Sequence, residues 1–322
     1  MQMVRTLPSR RGVSLLGIGC GIGAGALWGL VFLAPELAGM FRPLELTIGR
    51  YIAYGLIALI AVAPRLRRLV DHIGGSGLIA LVWLSLAGNT VYYFLLSAAV
   101  QMGGIAMTSL IIGFLPVAVT IIGSRDHDAV PLIRLMPSLL LCAGGGLCIG
   151  WQAVGQAMAS HSFNQLIGMA CATGALISWT AYAVGNARWL VRLHTIGAQD
   201  WNLLIGVMTG AQALCLVPLA LMMGVAHHDG ADWTRFLIVS GGVALLASIA
   251  GNALWNRMSR LLPLTLVGQM ILFETLFALL YGFLWEARWP TMAEVGTFGL
   301  LVASITACLA AHRGRGDGRE GA

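Results

Sequence analysis

The sequence predicts an all-α polytopic membrane protein of ten transmembrane helices, arranged as two inverted five-helix repeats with both termini cytoplasmic. Three observations carry this: the apolar runs, the sorting of the arginines and a short internal duplication. Apolar residues make up 58% of the chain and charged ones 10%, with a mean hydropathy of +0.84. A soluble domain carries roughly 25% charge, so no sizeable soluble domain is expected here. Spans are read at 14 to 34, 44 to 63, 77 to 97, 103 to 123, 132 to 150, 166 to 185, 201 to 223, 235 to 255, 261 to 285 and 292 to 311. Each suffices for about 30 Å of hydrocarbon at about 1.5 Å per residue.

All nineteen basic residues are arginine. A cytoplasmic N-terminus puts Arg5, Arg10, Arg11, Arg65, Arg67, Arg68, Arg125, Arg134, Arg188, Arg192, Arg257, Arg260, Arg313, Arg315 and Arg319 inside. Only Arg42, Arg235 and Arg288 fall outside, with Arg50 inside a span, as the positive-inside rule requires. The net charge of +6 therefore reflects topology. No basic patch interleaved with exposed aromatics suggests a nucleic-acid partner. The first apolar run continues to Leu33, too long for a signal core, and reads as a span rather than a cleaved leader.

All six cysteines (Cys20, Cys142, Cys148, Cys171, Cys215 and Cys308) fall within spans, without CxxC spacing, and read as small packing residues. The acidic and histidine groups Asp126, His127, Asp128 and His227, His228, Asp229, Asp232 read as solvated loops rather than metal sites. No cofactor is implied. Gly17, Gly21, Gly25 and Gly29 recur every fourth residue, a smooth ridge on the first span; Gly144, Gly145, Gly146 and Gly150 suggest another on the fifth.

The halves, 1 to 151 and 152 to 322, carry matching fragments. Gly25-Ala26-Leu27-Trp28 resembles Gly174-Ala175-Leu176 with Trp179 close behind, and Leu86-Ala87-Gly88-Asn89 resembles Ile249-Ala250-Gly251-Asn252. Five spans per copy is an odd number, so the second copy enters from the opposite face. Inverted repeats of this kind give two related arrangements, open to either side, with a site near the midplane. A secondary transporter of the bacterial inner membrane follows. Neither HExxH nor a paired-aspartate motif nor GxxxxGK[ST] is present, so neither an enzyme nor an ATP-driven pump is expected.

Trp28-Gly29 in the first span, Arg50-Tyr51 in the second, Pro116 in the fourth and Glu286 after the ninth resemble, in that order, the drug/metabolite transporter superfamily, EamA type. The chain looks most similar to its YddG-type amino-acid exporters. Two departures are the missing proline around Glu274 and Asp126 where many members carry glutamate. The resemblance implies export of neutral or aromatic amino acids, with drugs, purines or another small metabolite as the alternative cargo. The bilayer is the surrounding partner, and the sequence leaves a monomer open as the working unit.

Candidate site residues follow from polarity within the spans. Glu274, near the middle of the ninth span, is a candidate for coupling or for the substrate amino group. Arg50 reads mainly as snorkelling to the outer headgroups or as a structural pair, with contact to a substrate carboxylate as the lesser reading. Trp28 and Trp179 are expected to face one another across a pseudo-twofold axis. Tyr182 shares a face with Trp179, Asn89 with Tyr93, and Asn252 with Trp255; Gln269 adds an amide. Together they suit a small zwitterion with an apolar or aromatic side chain.

Overall fold

The computed structural model describes residues 15–123, 132–160, 163–193, 196–224, 228–262 and 269–317. Asp126, His127, Asp128, Arg125 and His227, with Arg5, Arg10, Arg11 and Arg319, lie outside the described residues. Among those described every regular element is helical, because a chain this apolar must satisfy its backbone within each segment.

The helices are α1 (Leu15–Leu37), α2 (Pro43–Val62), α3 (Leu66–Ser85), α4 (Val91–Ile112), α5 (Leu115–Gly123), α6 (Leu132–Ser160), α7 (Phe163–Arg192), α8 (Ala198–Met222), α9 (Gly230–Val243), α10 (Asn252–Leu261), α11 (Leu272–Glu286) and α12 (Met292–Asp317). Five helical stretches among the described residues are long and apolar enough to cross a membrane. One of these, Pro43–Ile112, runs for 70 residues and is broken along its length. Its breaks are a 3-10 turn at Ala63–Arg65 and two glycines with positive φ, Gly74 at 61° and Gly104 at 82°, a conformation open to glycine at no steric cost.

Local chemistry starts α2 and α9. Pro43 opens α2, and the Glu45 carboxylate accepts the Arg42 backbone N–H at 2.8 Å. Asp229 accepts the Asp232 N–H at 2.8 Å while Asp232 accepts from Asp229 at 3.3 Å, so these two loop acids form a capping box for α9.

Four segments depart from the continuous spans expected. The stretch read as 103 to 123 is interrupted between α4 and α5, where the Cys142 thiol donates to the Gly113 carbonyl at 3.2 Å. The stretch read as 261 to 285 is interrupted too: Leu262 is extended (φ −115°, ψ 153°) and α11 resumes at Leu272. Finally, Leu86–Thr90 and Ala244–Gly251 are π-helical, so the two Gly-Asn fragments matched in sequence both fall on or against wide turns. Apolar periodicity cannot reveal these interruptions, because hydrophobic residues continue through them.

The glycines of α1 seat α11 and α10. A Cβ on Gly25 would stand 2.6 Å from the Phe273 Cβ and 2.9 Å from the Glu274 backbone nitrogen; one on Gly29 would meet Phe277 and Ala278. Gly17 and Gly21 face Leu262 and Met258. The Tyr281 hydroxyl donates to the Ala26 carbonyl at 3.1 Å, fixing the register. In the fifth span the ridge is partial, since Gly145 meets Thr297 and Gly146 meets Phe114 while Gly144 faces open space. α2 crosses α8 where Gly55 and Gly210 touch backbone to backbone. α6 meets α12 through Ser138 and Ser304, whose hydroxyls lie 3.0 Å apart.

Candidate functional site

Five of the six tyrosines, Tyr51 and Tyr54 of α2, Tyr92 and Tyr93 of α4 and Tyr182 of α7, belong to or pack against one large buried cluster. Rings of Tyr51 and Tyr93 meet edge to face at 5.7 Å, and Tyr51 lies 6.5 Å from Tyr54. Trp179 sits 6.5 Å from Tyr92 and 5.8 Å from Tyr182. The Tyr182 ring covers Gly88, the small residue of the first π-helical segment; any side chain there would displace it.

Arg50 stands inside this aromatic cluster. Its side chain does not snorkel: the residue is 7% exposed, which corrects the snorkelling expectation and leaves a structural pair or a substrate contact. Its guanidinium carbon lies 4.3 Å from the Tyr93 ring centre and 5.2 Å from that of Tyr51, two cation–π contacts in a desolvated setting. Nη2 donates to the Ser248 hydroxyl at 3.3 Å, while Nε and Nη1 have no hydrogen-bond partner among the described residues. A buried guanidinium with donors left without an acceptor is costly, and a carboxylate is a ligand that matches such donors.

Glu274 lies in the first turn of α11 and is 8% exposed. It is within electrostatic reach of both Arg50 and Tyr92, yet no ion pair joins it to Arg50 among the described residues. Gln269, just before α11, is also buried, and its Oε1 has no partner among the described residues.

The remaining expected residues divide between this cluster and helix-to-helix bonding. Trp28 donates its indole N–H to the Ala247 carbonyl at 3.1 Å, inside the second π-helical segment, and lies against Gly251. Its ring is 4.9 Å from Trp255. In the first π-helical segment the Ser178 hydroxyl donates to the Ala87 carbonyl at 2.7 Å. Each wide turn therefore has a carbonyl capped by a side chain from a neighbouring helix, as broken backbone inside a membrane requires. Trp28 and Trp179 are not ring partners of one another; each is committed to its own set of neighbours.

Asn89 and Tyr93 do not act as a pair. The wide turn rotates Asn89 toward α8, where it donates to the Thr209 hydroxyl at 3.0 Å, while Tyr93 turns to Arg50 on α2. Thr90 joins the same α8 seam through Gln212 at 2.7 Å. Asn252 is half-buried at the start of α10, three residues before Trp255. Among the expected loop residues, His228 is stacked on Phe41 with ring centres 4.1 Å apart.

Two faces of the molecule are tied across α2 and α8. At one end Arg42 donates to the Met223 carbonyl at 3.0 Å and to that of Gly224. At the other, Arg65 pairs with Asp200 at 3.0 Å. Beyond α11, Arg288 grips Glu294 with two bonds of 2.8 and 2.7 Å and also contacts Glu286. These carboxylates raise the affinity of the Arg288 guanidinium for its proton above the usual arginine range.

No family model matches the chain. It is 29% identical over 305 residues to the inner membrane protein YtfF of Escherichia coli (strain K12), a match covering 88% of this chain and 91% of that protein. A solved crystal structure of a protein 19% identical aligns over 92% of this chain and 98% of its own, with a TM-score of 0.60, which shows a shared fold. The inner-membrane relative and the five long apolar helices agree: this is a multi-pass protein of the inner membrane.

Proposed function

We propose that the chain is a secondary transporter that exports neutral or aromatic amino acids across the bacterial inner membrane by alternating access. The observation that carries the reading is Arg50: a buried guanidinium with two nitrogens that have no hydrogen-bond partner among the described residues, walled by Tyr51 and Tyr93, with Glu274 in electrostatic reach. A zwitterion complements that arrangement, its carboxylate to Arg50 and its ammonium to Glu274, while the tyrosines and Trp179 offer apolar walls to its side chain.

The mechanism rests on ten spans in two inverted repeats, 1 to 151 and 152 to 322, with both termini cytoplasmic. Paired features of the halves support it. π-helical turns occur in the third and eighth spans, and breaks in the fourth and ninth, the corresponding positions at which discontinuous helices build transport sites. Gly55 against Gly210 and Ser138 against Ser304 are reciprocal contacts between corresponding spans, the pattern expected at a twofold axis. α1 packs along α10 as α7 packs along the first half of α4. The glycine faces of α1 let such units rock with little steric resistance. Energy comes from a gradient, and no catalytic step is assigned.

The test is flux into proteoliposomes holding the purified protein, with labelled phenylalanine, threonine and methionine beside a lipophilic cation, with and without a pH gradient. Saturable amino-acid flux supports the reading. Flux of the cation or of a purine alone replaces the cargo and leaves the fold standing.

A further inference from the structure

Away from the aromatic cluster, one face of α7 lines a groove of about 350 Å³ with Trp83 of α3 and Ile122 of α5. Thr180, Ala181, Val184, Gly185, Arg188 and Arg192 follow one another along it. Their spacing of one, three and four residues keeps them on a single stripe, about 18 Å long at about 1.5 Å per residue. The stripe is graded. Its first two turns are apolar and small, and its last two end in two guanidinium groups and the Trp189 indole.

The walls belong to the lipid-facing surface. Trp83 is 36% exposed and Ile122 40%, and the same surface continues with Ile79 and Val82 of α3 and Leu86 just after it. The Trp83 ring lies directly over Gly185, so that glycine makes the floor of the groove; any side chain there would collide with the indole. Arg192 holds its guanidinium carbon 5.5 Å from the Trp189 ring centre, a stack that orients the cation at the end of the stripe.

We propose that this groove binds an anionic phospholipid, with the headgroup phosphate at Arg188 and Arg192 and an acyl chain along Ala181, Val184 and Gly185 between Trp83 and Ile122. The apolar part of the stripe, Thr180 to Gly185, covers about 8 Å, roughly the headgroup-side half of one leaflet of hydrocarbon, and the two cations follow it on the side where the phosphate of that leaflet lies. Basic pockets between membrane helices, with aromatic residues at headgroup level, recognise anionic headgroups in this way. A soluble anion would match the arginines but leave the apolar trough unfilled.

The experiment is native mass spectrometry of the full-length protein released from detergent, after equilibration with equimolar phosphatidylglycerol and phosphatidylcholine of identical acyl chains. Each arginine near an anionic surface adds enough attraction for the pair to give at least about a tenfold preference for retained phosphatidylglycerol. Arg188→Gln with Arg192→Gln abolishes that preference, while Arg67→Gln with Arg68→Gln, on exposed α3 positions, preserves it. Equal retention of both lipids by the unchanged protein overturns the proposal without any variant having to fold. So does a preference that survives in the Arg188/Arg192 variant, or displacement of bound phosphatidylglycerol by millimolar glycerol phosphate, which would make the groove a soluble-anion site. Binding is read without transport, so the result stands apart from the assignment of cargo.

Discussion

Arg50 rests its guanidinium carbon 4.3 Å from the centre of the Tyr93 ring, and among the described residues only one of its nitrogens has a hydrogen-bond partner, the hydroxyl of Ser248. The ring faces stabilise the cation but accept no directional bond along its Nε edge. Substitution separates these contributions. Arg50→Lys keeps a charge over the tyrosines and loses the fork, so amino-acid KM should rise by about 10- to 100-fold, the equivalent of one charged hydrogen bond lost. An amine lacking the carboxylate should be transported, or left untransported, equally by both proteins. An unchanged KM for the amino acid in a folded Arg50→Lys protein would make Arg50 structural.

Glu274 is placed by its backbone as much as by its side chain, because Gly25 lets α1 come within van der Waals contact of its amide. Glu274→Gln retains the shape and removes the charge. If the carboxyl group takes up and releases a proton during the cycle, the variant transports at a rate independent of the pH gradient. Flux measured across imposed gradients checks this, and a gradient response equal to that of the unchanged protein would confine Glu274 to a structural role.

The sequence makes the helical membrane architecture readable, since apolar length and arginine sorting are properties of segments and need no tertiary context. The Leu86–Asn89 and Ile249–Asn252 fragments also mark real features, lying on or against the two π-helical segments. Arg50 is harder. Its position six residues from a span end suits snorkelling equally well, and only the arrival of Tyr93 and Ser248 from other helices buries it. The breaks at Gly74 and Gly104 are hidden for another reason: among 42 glycines, nothing local distinguishes these two, which have positive φ. The bond of the Trp28 indole N–H is hidden too, because it answers a carbonyl in a wide turn that the sequence does not mark.

That demand can be measured. Trp28→Phe keeps a ring beside Trp255 but leaves the Ala247 carbonyl without its indole donor. The unmade bond should cost about 1 to 3 kcal/mol in thermal unfolding in detergent. Trp28→Ala should cost more, since the stacked ring is lost too. Trp179→Ala, whose contacts are with Tyr92 and Tyr182, should lower flux while leaving folded protein in the membrane. Full flux in the Trp179 variant would remove that residue from the transport path.

Gly55 and Gly210 supply a stricter test of how α2 and α8 cross. A Cβ on Gly55 would stand 2.5 Å from the Gly210 Cα, and one on Gly210 would stand 2.7 Å from the Gly55 Cα. Both neighbours are backbone, so no side chain can swing aside. Gly19, in α1, has nothing within 4 Å of the same position. Alanine should favour the helix by about 0.5 to 1 kcal/mol at either site on intrinsic preference alone. At Gly19 that gain should appear as equal or higher thermal stability. At Gly55 the forced separation of two helices should overcome it, for a net loss of about 1 to 3 kcal/mol and reduced flux. Equal behaviour of Gly19→Ala and Gly55→Ala would mean that the two helices do not meet at these glycines.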